Sequence, residues 1–353
     1  TRDASWDGVE VVTIDANGND VLFEGTAGDD DVTVTPLGAD SLQATVAGSA
    51  VLYQFNDVDD FSVDTLGGND ALTVQGSAGA DEFLLLAGVV DMVVPNREAV
   101  NYTGIEALNI AGLEGDDLVN VDVTLGLIRV PITIDGGSNS DTLVVFGDPT
   151  LAEGNDLDQV EYLPGPDVLE GRLLYDLDWT TPDTHEMTID FINLEPVVDL
   201  TVASVAVTVY GTNADNAINF IEGPNSGTAL AGGVTTGLVT VDGFEGFEFA
   251  NKNDVLEIIG LAGDDTVNLN YQNLIPPQDL DRVWVEGNDP TGSDRLIVNA
   301  LDGLSDSLTL QPLSQGRGRI TGPAILPVDY LTIEDVHLVG QLGDADTMGV
   351  EGT

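Results

Sequence analysis

Five stretches of the sequence set an aspartate five residues after a glycine, directly before an alternating apolar run. They are GTAGDDDV from Gly25, GSAGADEF from Gly76, GLEGDDLV from Gly112, GGSNSDTL from Gly136 and GLAGDDTV from Gly260. The spacing falls on Asp30, Asp81, Asp117, Asp141 and Asp265, with a second carboxylate beside it at Asp116 and Asp264. Related turns place Asp70 in LGGND, Asn216 in GTNADN and Asp294 after a short insertion. Carboxylates next to glycine-freed carbonyls can supply the six to eight oxygens that Ca²⁺ takes. Zinc or copper would call for imidazole or thiolate, and this chain has no cysteine and two histidines, His185 and His337, in non-repeating contexts. The same Asp-Asp and Asn-Asp pairs also turn a chain unaided, because their short side chains bond their own backbone.

Charge sharpens the choice. There are 62 acidic residues against 9 basic ones, a net charge of −53, and Lys252 is the single lysine. A nucleic acid or an anionic membrane would be repelled. So much self-repulsion opposes compaction unless cations offset it, which implies bound Ca²⁺ or a saline medium that favours acidic surfaces. With 353 residues, 42% of them apolar, a large core can be buried. No run of 18 apolar residues predicts membrane insertion.

The elements that must position these turns read as strands. Runs such as Asp31–Thr35, Leu72–Gln75, Leu118–Val123, Ile132–Ile134 and Val267–Leu269 alternate at period two and are rich in Val, Ile and Thr. No segment carries a helical stripe, so the fold class is all-β. A long repeat is also visible: Gly76, Gly211 and Gly352 open related phrases 135 and 141 residues apart. ALNIAGLEGDDLVNV from Ala107 answers VLEIIGLAGDDTVNL from Val255. The expected organisation is the back part of one repeat over 1–75, full repeats over 76–210 and 211–351, and the start of another at 352–353.

Two architectures satisfy this pattern: a parallel β-solenoid (β-helix) of tandem repeats, and tandem β-sandwich domains. The 24 residues from Asp117 to Asp141 make a plausible solenoid rung. Stacked rungs would bring carboxylates about 4.8 Å apart. At an effective dielectric near 20 each like-charge pair would cost about 3 kcal/mol, which a divalent ion turns into attraction.

These turns resemble the hemolysin-type, or repeats-in-toxin, calcium-binding nonapeptide, Gly-Gly-x-Gly-x-Asp-x-apolar-x. GGSNSDTL departs from it at Asn139, and GLEGDDLV and GLAGDDTV at Leu113 and Leu261. The resemblance implies that Asp30, Asp70, Asp81, Asp117, Asp141, Asn216, Asp265 and Asp294 hold the family's ligand position and that Ca²⁺ is the cofactor. In that family the nonapeptides run head to tail, whereas here they are isolated, and the resemblance covers about a fifth of the chain.

No G-x-S-x-G elbow, P-loop or H-E-x-x-H appears, so an enzyme is not expected. β-Helix polysaccharide lyases and hydrolases are the enzymatic alternative, with Arg97, Arg129, Arg172 or Arg295 beside acidic turns; but Arg172 and Arg317 fall in corresponding repeat segments, which suits structure. Trp6, Trp179 and Trp284 read as packing, and 149–187, with its Pro164-Gly165-Pro166 and Thr181-Pro182-Asp183, as a surface loop that could bind a partner. The expectation is a secreted, calcium-stabilised structural protein of a cell-surface fibre, surface layer or biofilm matrix. Its partners would be neighbouring repeats or copies of itself. An adhesin or glycan-binding module is the alternative.

Overall fold

The computed structural model describes residues 10–351, apart from 182–183, 253, 271–279, 289–292, 302, 324 and 344. It is all-β, and the described helices are single turns at Thr150–Glu153 and Thr228–Ala231. None is long and apolar enough to cross a membrane. The expected phrases at Trp6, Pro182-Asp183 and Gly352-Thr353 lie outside the described residues. Two compact units are present, one of Thr1–Thr142 with Ile189–Leu194, the other of Leu143–Thr188 with Glu195–Thr353.

In the first unit, Asp31–Gly38, Ala71–Gln75, Ala107–Ala111, Ile132–Asp135 and residues 189–192 pair in parallel, each on the next. The period-two pattern sets the register: Val32, Leu72, Leu108, Ile132 and Ile189 are mutual partners and all are buried. A slip of one residue would turn that row outward. Burial of each such side chain stabilises by about 1.5–3 kcal/mol. The second unit builds the same row from Val160, Val207, Leu256, Val283 and Val328 on five parallel strands.

Pairing is not parallel throughout, contrary to the expected all-parallel stack. Glu82–Leu86, Val89–Val94 and Val100–Thr103 form an antiparallel meander, matched by Ala217–Glu222, Thr236–Val241 and Phe247–Ala250. Ser307–Ser314 and Arg317–Thr321 add a hairpin, as do Gln159–Pro164 and Glu170–Asp176. The last of these occupies much of the stretch read as a loop over 149–187. The cause is local. Leu86 pairs with Val89 and Ser314 with Arg317 across two-residue connections whose second member, Gly88 or Gly316, has φ of 86° or 67°. So short a link can join only antiparallel strands.

The meanders do not end the parallel stacking. Leu118–Asp122 returns onto Glu82–Leu86 in parallel, and Thr266–Leu269 onto Ala217–Glu222 in the same way. The acidic turns lie between these strands, so each meander sets how far apart in sequence two stacked turns fall.

Candidate functional site

The acidic turns stand in ladders, one member per layer. In the first unit the N–H of Asp81 donates to Oδ1 of Asp117 at 2.7 Å, and the N–H of Asp117 to Oδ1 of Asp141 at 2.8 Å. Asp30 donates to Asp70 at 2.7 Å, and Asp70 to Glu106 at 2.8 Å. In the second unit Asn216 donates to Asp265, Asp265 to Asp294 and Asp294 to Glu334 at 2.8–3.0 Å. Asp306 and Asp346 form a further pair at 2.9 Å. Thus all eight predicted ligand positions lie in these ladders, and the six aspartates and one asparagine stacked between Asp70 and Asp294 are buried, as is Asp30. Asp306 and Asp346, which sequence reasoning missed, sit in LDGLSDS and QLGDADT, where the glycine spacing is altered.

A second, exposed ladder runs beside the first in the opposite sense. Oδ1 of Asp29 accepts the N–H of Asn69, Asp116 that of Ser140, Asp215 that of Asp264, and Asp264 that of Ser293, at 2.9–3.2 Å. Asp116 and Asp264 therefore serve the backbone of the next layer. One of every stacked carboxylate's oxygens is spent on a backbone donor, which offsets much of the repulsion that bare stacking would bring.

The other carboxylate oxygen divides the turns into two kinds. In the turns opening at Gly25 and Gly76, the second residue is Thr26 or Ser77. Its N–H reaches Oδ2 of Asp30 or Asp81 at 2.6 Å and its hydroxyl reaches the same oxygen at 2.9 Å. Thr212 does the same for Oδ1 of Asn216. In the other kind the second residue is Leu66, Leu113, Gly137 or Leu261, at φ between 66° and 95°. That left-handed conformation turns the N–H away, and no hydrogen bond reaches Oδ2 of Asp70, Asp117, Asp141 or Asp265, all buried. A buried acceptor without a donor costs about 1–3 kcal/mol. A leucine at positive φ adds roughly 1–2 kcal/mol.

Carbonyl oxygens crowd the same place. A Cβ on Gly112 would overlap both Asp117 Oδ2 and the carbonyl of Gly136, one layer on. A Cβ on Gly136 would meet Asp141 Oδ2 and the carbonyl of Asn193, and one on Gly260 would meet Asp265 Oδ2 and the carbonyl of Gly287. The first glycine of these three turns is thus fixed by close approach between layers.

Burial is the main cause that pushes Asp117 and Asp265 up to about 6, helped by neighbouring carboxylates and opposed by the backbone donors from Asp81 and Asn216. Asp141 is raised for the same first reason. At the head of the first ladder Arg97 lies 3.5 Å from Asp81 Oδ1, so this arginine answers a buried charge. The corresponding place in the second unit holds an amide, Asn216, whose Nδ2 donates to Asp242 at 2.7 Å.

Other sequence readings change. Register pairs Arg172 with Leu163 and Arg319 with Gln311, so Arg319 rather than Arg317 takes Arg172's place. Trp179 is 54% exposed, not packed. Among the described residues no group of three or more His, Asp or Glu side chains converges as a metal cluster. No family model and no curated protein matches the chain.

Proposed function

We propose that this chain is a calcium-stabilised structural repeat element of an extracellular fibre, surface layer or matrix. It is read as a β-solenoid of about 140-residue repeats interrupted by antiparallel meanders. The single observation that carries the calcium reading is the set of buried Oδ2 atoms in the Asp70, Asp117, Asp141 and Asp265 turns. Each lacks a protein donor, and three of the four sit beside a carbonyl oxygen of the next layer across a glycine with no room for a Cβ. Oxygen-only surroundings of this kind suit a hard cation. In the Asp30, Asp81 and Asn216 turns a Thr or Ser takes that place, so those turns are assigned to structure alone. Asp116 and Asp264 are assigned to the backbone they hold.

The role of the ion would be mechanical: it would attract carboxylates and carbonyls of successive layers and stiffen the stack against its own charge. Stacked repeats bury a continuous core and leave open ends for neighbours. Calcium-free protein titrated with CaCl₂ should bind the ion by calorimetry and gain many degrees in melting temperature at low ionic strength. An unchanged melt and no binding heat would remove calcium from the account. Electron microscopy with and without calcium then tests ordered assembly.

A further inference from the structure

Four strands of the second unit, Ala206–Tyr210, Val255–Ile259, Arg282–Glu286 and Val328–Leu331, carry in register the row Thr208, Glu257, Trp284 and Asp329, of which Glu257 and Trp284 are half-buried and Thr208 and Asp329 are buried. Their neighbours Val207, Leu256, Val283 and Val328 face the core. In the first unit the strands that pair in the same way set Thr73, Asn109, Thr133 and Asp190 in the corresponding row. One step along, Gln75 in the first unit answers to Tyr210 in the second. The same backbone is built with Thr133 and Gln75 as with Trp284 and Tyr210, so the fold does not call for the aromatic rings.

Both rings are half-buried and fixed by polar neighbours. Tyr210 donates its hydroxyl to Glu161 at 2.7 Å, and Trp284 Nε1 reaches Glu286 at 3.4 Å. Between them Thr208 donates to Glu257 at 3.1 Å. Beyond Trp284, Arg319 holds Asp329 through two bonds at 2.6 and 2.7 Å, with Arg282 3.8 Å away. Tyr210 also walls a cleft of about 580 Å³ with Phe244, Leu163 and Leu261, a size that accepts a small ligand. Tyr210 and Trp284 stand two strands apart and two residues out of register, roughly 12 Å between their backbones.

We propose that this face binds a neutral oligosaccharide, with one sugar ring at the Tyr210–Phe244 cleft and another on the Trp284 indole. Pyranose rings offer an apolar C–H face to an aromatic plate and hydroxyls at the rim to fixed carboxylates and guanidinium groups. Here Arg319 and Arg282 share Asp329, and Glu257, Glu161 and Glu286 stand on the same face, so carboxylates outnumber guanidinium groups four to two and no free cationic site is offered to an acidic sugar. A polyanionic glycan would meet the net charge of −53. The cleft borders the Asp265 turn through Leu261, while the two rings themselves bond Glu161 and Glu286 rather than ladder carboxylates, so the inference does not rest on the calcium reading.

The test is titration of the full chain with glucose hexasaccharides in β-1,4, β-1,3 and α-1,4 linkage, and with a uronic acid hexasaccharide, followed by tryptophan emission and calorimetry. At least one neutral sugar should saturate and the uronate should not. Trp284→Thr and Tyr210→Gln, which install the residues of the first unit, should each weaken binding by about tenfold or more while the circular dichroism spectrum and the calcium-dependent melt stay unchanged. No neutral sugar binding at millimolar concentration, binding of the uronate alone, or binding untouched in both variants would overturn the proposal.

Discussion

Asp117 gives its backbone N–H to the Asp141 carboxylate at 2.8 Å and receives on its own carboxylate the N–H of Asp81 at 2.7 Å. Asp117 is therefore both a rung and a clasp. One carboxylate oxygen is consumed in joining layers, and what the other oxygen meets separates a structural turn from one that can take a cation.

Asp117→Asn is expected to have opposite effects with and without calcium. The amide oxygen can keep the bond from Asp81, and the amide N–H₂ would face the orphaned side, where the Gly136 carbonyl can accept it. In EDTA the variant should melt at or above the wild type, by up to about 2 kcal/mol of relieved desolvation. In calcium the order should reverse. Asp81→Asn should show no such reversal.

The pH dependence of the calcium-free chain follows from the raised carboxyls. Asp117 and Asp265 hold their protons to about 6, against an ordinary 3.8. The folded state thus binds more protons than the unfolded state between those values. The contribution of these groups to stability is full below about 4 and lost as pH rises through about 6. The melting curve of wild type minus that of Asp117→Asn across pH 4 to 7 isolates it. A difference that grew more favourable to wild type with rising pH would refute the assignment.

Gly112→Ala should destabilise by about 1–3 kcal/mol, because the added methyl has no space between Asp117 and the Gly136 carbonyl. Leu113→Gly, at a φ of 83°, should stabilise the calcium-free protein by roughly 1 kcal/mol. Chemical denaturation of both variants measures the two effects, which oppose each other one residue apart.

Arg97→Met should cost about 3 kcal/mol, since it leaves buried Asp81 without its counter-charge. Adding Asp81→Asn, the arrangement found at Asn216, should recover much of the loss. A double-mutant cycle that came out additive would show that the two side chains do not act together.

Turn chemistry was legible in the sequence because it is written within six residues: a glycine where layers touch, an aspartate five positions on and a strand beginning after it. The all-β class followed from period-two alternation, and the Asp117–Asp141 stacking from a spacing free of inserted strands. Stacking elsewhere was not legible, because it spans 36 residues from Asp81 to Asp117 and 49 from Asn216 to Asp265. Those distances depend on meanders whose register is set by burial far along the chain. LLLAGVVDMVV, from Leu84, already carried a hairpin signal in its Ala-Gly link. Which oxygens are left without donors was decided by tertiary structure alone. Leucine and serine at the second turn position differ by one letter, but only the folded turn shows the consequence: Ser77 and Thr212 bond the side chain five positions into the turn through both N–H and hydroxyl, whereas Leu113 and Leu261, with no hydroxyl to offer, stand at positive φ with the N–H off the carboxylate.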